Sequence, residues 1–355
     1  MNALAAKIAR LIEAQGPISV AQFMAMADSA YYAGRDPFGA KGDFTTAPEV
    51  SQMFGELLGL WIVQCWQDQG KPVPARLVEL GPGRGTLMAD ALRAAKLAPE
   101  FLANIDVVLI ENSPVLREIQ HETLKICGVP VRWLDSFDDA LNDRALFLLA
   151  NEFFDALPVR QFVKTEHGWN ERMVMLDEMG ALAFAVARVS SNISAPSSRG
   201  MSKTGSVYEL SPTSTAIAEQ IGEVIARNGG AALIVDYGYG GEAGFGETLQ
   251  AVGGHQYKSV LESPGDVDLS AHVDFGALAE AARTGGALTF GPVTQGDLLD
   301  RLGIGTRATK LSEKNPSEAL VLTAAMERLT APAQMGTLFK ALAIMPKHSA
   351  TPPGF

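Results

Sequence analysis

The stretch "VELGPGRGTL", residues 78–87, is an apolar run that breaks into three glycines spaced two apart. An apolar run ending in a glycine loop and followed by helical periodicity reads as a strand–loop–helix unit. Such a unit sets backbone N–H groups and a helix N-terminus beside a bound ligand. The residues between the glycines narrow the ligand. The dinucleotide fingerprint G-x-G-x-x-G places its third glycine where Thr86 stands. A phosphate-binding Gly-Lys-Ser/Thr loop needs a lysine, and this loop has none.

Outward from the loop, strand and helix alternate. Candidate strands are "RLVEL", "IDVVLIE", "VPVRWL", "ALFLLAN" and "AALIVDY". Continuous apolar runs of this kind suit strands buried on both faces, so the fold class is α/β with a parallel sheet. Helical patterns lie between them at 87–96, 113–126 and 211–228. The last has Ser211 as cap, Pro212 at its first position and Gly229 at its exit.

The first seventy residues read as helical, without a convincing strand. One helix stops at Gly16-Pro17, and "SVAQFMAMADSA" follows with Ser19 as its cap. After the glycine-rich loop "YYAGRDPFGAKGDFTTAPEV", Thr46 and Glu49 have capping-box spacing at the head of a long helix running to Trp66. "QGKPVPA" is a linker. Between 159 and 209 the rhythm fails: "VRQFVKTEHGWNERMVML" reads as a hairpin, and "SSNISAPSSRGMSKTGS" as a loop. Beyond Tyr237 an irregular segment leads to a helix capped by Asp274, and "ALTFGPV" and "TLFKALAIM" supply two closing strands. The expected organisation is a helical lid or substrate segment at 1–70 and a main domain at 71–346. The main domain carries a β-rich insertion at about 159–209, and 347–355 form a tail.

Composition excludes several functions. The chain has 355 residues, 47% of them hydrophobic, and a net charge of −11. Phosphate backbones need a concentrated basic surface, so nucleic acid is not the partner. An acidic surface suits a basic protein segment or a cationic small molecule. Cys65 and Cys127 are too few for a metal cage or a disulfide framework and read as buried thiols in a reducing compartment. No apolar run approaches the roughly 20 residues that insert across a bilayer. The start, "MNALAAKIARLIEAQG", lacks the apolar core and cleavage site of a secretory signal. The expected compartment is the cytoplasm, or the mitochondrial matrix for a eukaryotic source.

Glu79 stands two positions before Gly81 and completes an E-x-G-x-G-x-G pattern, the mark of S-adenosylmethionine (SAM) sites. SAM has no phosphate and carries an ammonium and a sulfonium, which suit an acidic neighbour. Glu111 ends the second strand and is placed to accept from ribose hydroxyls, with Asn112 beside it. NAD would use the same ribose acid, so Glu79 and the missing third glycine discriminate. Asp135 follows the third strand as acceptor for the adenine amino group, next to Ser136. The fourth strand runs into "NEFFDALPVRQF", where Asn151, Glu152 and Asp155 stand among Phe153, Phe154 and Leu157. These residues form either a helix cap with core aromatics or a substrate-orienting carboxylate with an aromatic wall. "GDFTTAPEVS" is either a helix-entry loop or a closing loop that turns Asp43 into the pocket. His255 and His272 have no partner at metal-ligand spacing and read as structural.

With "GDFTTAPEVSQMFGE", "ELGPGRGTLMAD", "NEFFDALPVRQF", "ALIVDYGY", "TLQAVGGH" and "DLSAHVDF", the chain resembles the MidA-like family of SAM-dependent methyltransferases over nearly its whole length. Eukaryotic members of that family are mitochondrial complex I assembly factors with protein-arginine methyltransferase activity. The resemblance implies a Rossmann-like class I methyltransferase sheet with an N-terminal helical segment and a β-rich insertion. It places Gly81, Gly83 and Gly85 at SAM; Asn151 joins the cofactor candidates on its position at the carboxyl end of the fourth strand. It also implies arginine methylation of a protein substrate, with a complex I subunit as the candidate. A guanidinium is delocalised and stays protonated above pH 12, so a carboxylate must localise its charge and orient one nitrogen. Glu152 is the first candidate, Asp155 the second and Asp43 the third. Two other functions stay open: a small-molecule methyltransferase, and a SAM-binding assembly factor that works mainly by docking a partner.

Overall fold

The apolar runs form strands in a computed structural model that describes residues 2–33, 46–141, 143–190, 203–240, 246–254 and 256–355. The core strands are β1 (Ala75–Leu80), β2 (Ile105–Ile110), β3 (Val131–Leu134), β4 (Ala145–Asn151) and β5 (Gly230–Tyr239). The two closing strands are β6 (Leu288–Thr294) and β7 (Phe339–Met345). They pair in the order β3-β2-β1-β4-β5-β7-β6, and Val273–Asp274 adds a short eighth strand beside β5. Strands β1 to β5 are parallel, while β7 runs antiparallel to β5 and β6. Every residue of β1 and of β4 is buried, which is why neither shows polar alternation. The chain steps outward from β1 through β2 to β3, then returns to β4 on the other side. Ligands of doubly wound sheets bind at such a reversal, outside the carboxyl ends of the strands. Here that places the crevice at Gly81 and Glu152.

Three helices position it: α1 (Gln52–Asp68), α2 (Thr86–Ala95) and α3 (Pro114–Leu124). Helix α1 is apolar nearly all round and buries Phe54, Leu58, Trp61, Ile62 and Trp66. Gly59 permits its close approach to α2, since a Cβ there would lie 2.5 Å from Ala91 Cα. The start of α1 differs from the sequence expectation. Thr46 makes no side-chain cap bond, one turn forms at Ala47–Val50, and extended Ser51 then caps α1 by accepting from Met53 N at 3.2 Å. Glu49 cannot close a capping box because its carboxylate accepts from the Thr86 hydroxyl at 2.5 Å. The segment between β6 and β7, which carried no helical expectation, holds Gln295–Leu302, Ile304–Lys314 and Ala319–Thr330. These helices bury Leu298, Leu299, Ile304 and Leu329 in the core shared with α1 and α2.

The chain divides into two compact units. The sheet just described belongs to the unit made of Asp36–Phe154, Thr215–Gly241 and Val273–Phe355. The other unit combines Met1–Arg35, Asp155–Ser214 and Glu242–His272. Its helices Ala3–Gln15 and Val20–Ala33 accompany an antiparallel sheet of Arg160–Thr165, Gly168–Leu176, Leu182–Ser190 and Val207–Leu210. Ile8, Phe23, Met24, Val174 and Leu269 form its core. Ile18–Ser19 pairs with Val174 and Met173, so the N-terminal segment does contain a strand. Two residues are too short to display alternation. A second small sheet, Gln250–Gly253, Gln256–Lys258 and Asp268–Ser270, occupies a segment that read as irregular. Most of the serine-rich stretch, most of the glycine-rich loop before Thr46, and His255 lie outside the described residues.

Candidate functional site

The glycine loop begins where β1 ends, and Gly81, Gly83 and Gly85 all take left-handed backbone (φ +60°, +53° and +81°). Side-chain-bearing residues adopt that conformation only with strain. At Gly81 a Cβ would also lie 2.9 Å from Phe153 Cδ2. Gly85 is the N-cap of α2 and has no side chain to cap it. Glu79 does so instead, its carboxylate accepting from the backbone N–H of Met88. Glu79 is buried, its Oε2 has no hydrogen-bond partner, and burial pushes its carboxyl up to about 8. A cationic ligand group would complete this half-satisfied acid.

The end of β4 forms the opposite wall. Glu152 N still donates to Val235 O at 2.9 Å, yet its φ is +50°, uncommon outside glycine and typical of strain kept at functional positions. Buried Asp236, on β5, fixes the turn by accepting from Phe154 N at 3.0 Å. Glu152 Oε1 accepts from Ala47 N at 3.1 Å and from Asn151 Nδ2 at 3.2 Å. Asn151 Oδ1 is buried without a partner. Between these walls lies a cleft of about 390 Å³ including its open mouth, lined in part by Glu49, Glu79, Gly81, Gly83, Arg84 and Glu152. Arg84 lies 3.9 Å from Glu49, so among the described lining residues three carboxylates face a single guanidinium.

Glu111, at the end of β2, joins the loop through α3. Its Oε1 accepts from Ser113 N at 2.8 Å and its Oε2 from Gln120 Nε2 at 3.1 Å, and burial raises its carboxyl. Gln120 Nε2 also donates to Gly83 O at 2.7 Å. Arg117 donates to Glu111 O at 2.7 Å and pairs with Asp135 at 2.6 Å. Asp135 is 81% exposed. Ser136 Oγ accepts from Asp138 N, and Asn112 is exposed.

The fold therefore brings Glu79, Gly81, Gly83, Asn151 and Glu152 to one cleft, with Gly85 completing the loop. Glu111 adjoins it through Gln120, while Asn112, Asp135 and Ser136 stand at the exits of β2 and β3 and do not line it. Asp155 is buried in the other unit, and Asp43 lies outside the described residues. Sequence reasoning missed Glu49, Gln120 and Asp236. Glu49 looked like a helix cap, and Gln120 is a neutral mid-helix residue with no signal. Asp236 lies inside β5 rather than at its end, so the rule that singled out Glu111 passes over it. Among the described residues no cluster is suited to a metal ion.

A glycine loop between first strand and first helix, acids at three strand ends and a reversal between β1 and β4 define a Rossmann-like, class I SAM-binding protein. Residues 57–293 match the family model described as "Putative S-adenosyl-L-methionine-dependent methyltransferase", and the chain belongs to that family. It is 38% identical to the protein arginine methyltransferase NDUFAF7, mitochondrial, of Danio rerio, a match covering 95% of this chain and 86% of that protein. Identity to the Homo sapiens protein of the same name is 37%, covering 94% and 81%. The structure is similar to that of a Burkholderia thailandensis protein solved with S-adenosyl-homocysteine, with a TM-score of 0.87 and 29% identity over 99% of this chain and 94% of that one. A second structure from the same organism gives a TM-score of 0.84.

The residues present fit SAM. Glu79 offers an unsatisfied buried oxygen to a cation, and the left-handed backbone of Gly81, Gly83 and Gly85 keeps the loop free of side chains at those positions. A phosphate would meet Glu49, Glu79 and Glu152. The phosphate ligands considered for the loop are thereby disfavoured on charge as well as on motif.

Proposed function

We propose that this methyltransferase modifies an arginine side chain of a protein substrate, with a subunit of respiratory complex I as the substrate class that the family resemblance implies. The relatives' names support the arginine reading. The observation that carries it is Glu152, a strained carboxylate at the cleft edge whose Oε1 is held by Ala47 N and Asn151 Nδ2. Gly81, Gly83 and Gly85 would hold the methionine part of SAM, with Glu79 opposite its ammonium and Asn151 beside it. Glu111 and Asn112 would accept the ribose, and Asp135 and Ser136 the adenine. When bound, SAM supplies an electrophilic methyl on a sulfonium, and catalysis is then alignment and desolvation.

Glu152 does the aligning. Its carboxylate pairs with two guanidinium N–H groups of the incoming arginine, exchanging the Ala47 N–H for a charged donor. That pairing draws positive charge toward Glu152 and leaves one nitrogen facing the methyl. The N–C bond forms as the C–S bond breaks, and one N–H proton passes to Glu152 and on to solvent. Asp155 and Asp43 are the secondary candidates for holding the substrate.

The cytoplasm is the proposed compartment, consistent with two free, buried thiols at Cys65 and Cys127; the relatives are named mitochondrial. Among the described residues no helix is long and apolar enough to cross a membrane. The deciding experiment compares methylarginine-containing peptides, by mass spectrometry, in cells carrying the wild type, a deletion or Glu152→Gln. The variant should bind SAM within a few-fold of wild type and transfer methyl roughly 10²-fold more slowly to the peptide lost in the deletion. Near-normal transfer by Glu152→Gln would overturn the reading.

A further inference from the structure

Gln120 is fully buried on α3 and makes three hydrogen bonds to three separate elements. Its Nε2 donates to Gly83 O in the glycine loop (2.7 Å) and to Glu111 Oε2 at the end of β2 (3.1 Å). Its Oε1 accepts from Trp133 Nε1 on β3 at 2.8 Å. An indole can only donate, so Trp133 fixes which end of the amide is oxygen and turns both amide hydrogens toward Gly83 and Glu111. Trp133 is itself braced, its ring stacked on His121 at 3.8 Å between centroids. Close packing adds to the hydrogen bonds: a Cβ at Gly85 would lie 3.4 Å from Gln120 Cγ.

We propose that Gln120 is a positioning residue for SAM, locking the Gly83 peptide and aiming the Glu111 carboxylate at the ribose hydroxyls. The proposal rests on Glu111 being the ribose acceptor. With Ser113 N on one oxygen and Gln120 on the other, the plane of that carboxylate is set before the ligand arrives. With the Gly83 carbonyl held by Gln120, the loop's N–H groups keep one orientation. A buried three-way amide costs free energy to assemble only partly, so each of its bonds depends on the others. No local pattern in the sequence marks it, because its partners are 37, 9 and 13 residues away.

Replacing Gln120 with glutamate tests the role through protonation. While protonated, the introduced carboxyl can still donate to Glu111 and accept from Trp133. Once ionised, it faces two acceptors, Gly83 O and Glu111, and repels both. Gln120→Glu should therefore bind SAM within about threefold of wild type at pH 5.5 and at least about tenfold more weakly at pH 8.5, while kcat at saturating SAM stays near wild type. The other charged or titratable groups around this patch are Arg117, His121, Asp135 and, at the head of the loop, Glu79. All are present in the wild type, so the ratio of variant to wild-type affinity at each pH removes their contribution. Calorimetry would be run alongside for Glu111→Gln and for the double variant Gln120→Glu/Glu111→Gln. The double variant should show a smaller pH dependence than Gln120→Glu, keeping only the part due to Gly83 O, and an undiminished one would mean that Gln120 does not act through Glu111. A SAM affinity unchanged in Glu111→Gln would sink the ribose role of Glu111. An affinity lowered in Glu111→Gln but with no pH-dependent loss in Gln120→Glu would sink the proposal for Gln120 alone. If Gln120→Glu unfolds, Gln120→Met, which lacks both the amide donors and the acceptor, should fold and raise the KM for SAM with little change in kcat; an unchanged KM overturns the proposal.

Discussion

Buried and half-buried carboxylates occur in both compact units, and they are satisfied in different ways. In the sheet-bearing unit Glu79, Glu111 and Glu152 each accept a backbone N–H, from Met88, Ser113 and Ala47 respectively. In the other unit, burial and then the charges of Asp268 and Asp155 push Asp28 up to about 9, and both its oxygens are buried without a hydrogen-bond partner. The Tyr32 hydroxyl donates to Asp268 at 2.8 Å. A backbone N–H fixes the direction of a carboxylate and favours its charged form. Acids tied that way keep a fixed direction even where burial raises them, as at Glu79, whereas Asp28 has no such tie and meets its burial by taking up a proton.

The largest effect that would sharpen this contrast is expected in the cleft. Gly83→Val forces a β-branched residue into left-handed backbone in the loop proposed to hold SAM. SAM affinity should fall by more than roughly 10²-fold, with the far-ultraviolet circular dichroism unchanged, because the strain is confined to one loop residue. Calorimetry that finds wild-type SAM affinity would mean that the ligand does not lie on this loop.

The next effect lies in the other unit and concerns stability. Folded Asp28 holds a proton between its ordinary value of 3.8 and about 9, a window in which the unfolded chain has lost it. The native state binds more protons there, so stability declines as pH rises across the window. Asp28→Asn removes that decline. Denaturant unfolding should show little difference from wild type near pH 4 and a gain of about 2 kcal/mol at pH 8, below the upper limit set by 1.36 kcal/mol per pH unit. A variant less stable than wild type at pH 8 would show that Asp28 is ionised and paired with a cation.

The same two regions differ in how far the sequence exposes them. Strands β1, β2, β4 and β5 are continuous apolar runs, and the glycine loop stands between two unmistakable elements, so the sheet and the glycine-loop wall of the cleft were legible. The two closing strands were found for the same reason. Ile18–Ser19 was not, because a two-residue strand has no period, and its partner Val174 is far away in sequence. The small sheet at Gln250–Gly253 failed for the same cause. Glu49 was misread because a capping box is a local rule, while its actual partner, Thr86, is 37 residues away and outcompetes it. Gln120 and Asp236 act through long-range bonds that no window of sequence contains.

A smaller effect is expected at Glu79, the cleft acid that most resembles Asp28. Its carboxyl is raised to about 8 by burial, only partly offset by the Met88 N–H. An ammonium beside that acid, as proposed for SAM, would favour its ionised form, so wild-type affinity should rise with pH and level off above about 8, with proton release on binding near pH 7. Glu79→Gln keeps an acceptor but loses the charge. It should weaken SAM about tenfold at pH 8 and abolish the proton release seen by calorimetry in buffers of different ionisation enthalpy. If the release persists, the titrating group is elsewhere and Glu79 belongs with Asp28 as a merely buried acid.

The smallest effect should come from Asp135, a cofactor candidate that stands on the surface. It is 81% exposed and one oxygen is held by Arg117 at 2.6 Å, and the same guanidinium braces the Glu111 carbonyl. An exposed ion pair contributes at most about 1 kcal/mol, and a single solvent-exposed hydrogen bond to an adenine amino group contributes no more. Asp135→Ala should therefore weaken SAM by roughly threefold, and should weaken an analogue lacking the adenine amino group not at all. A loss of tenfold or more, equal for both ligands, would mean that Asp135 acts through Arg117 on the Glu111 backbone, making the ribose end of the site depend on a surface ion pair. An unchanged affinity for SAM itself would remove adenine from the end of β3 and leave β1, β2 and β4 as the strands that hold the ligand.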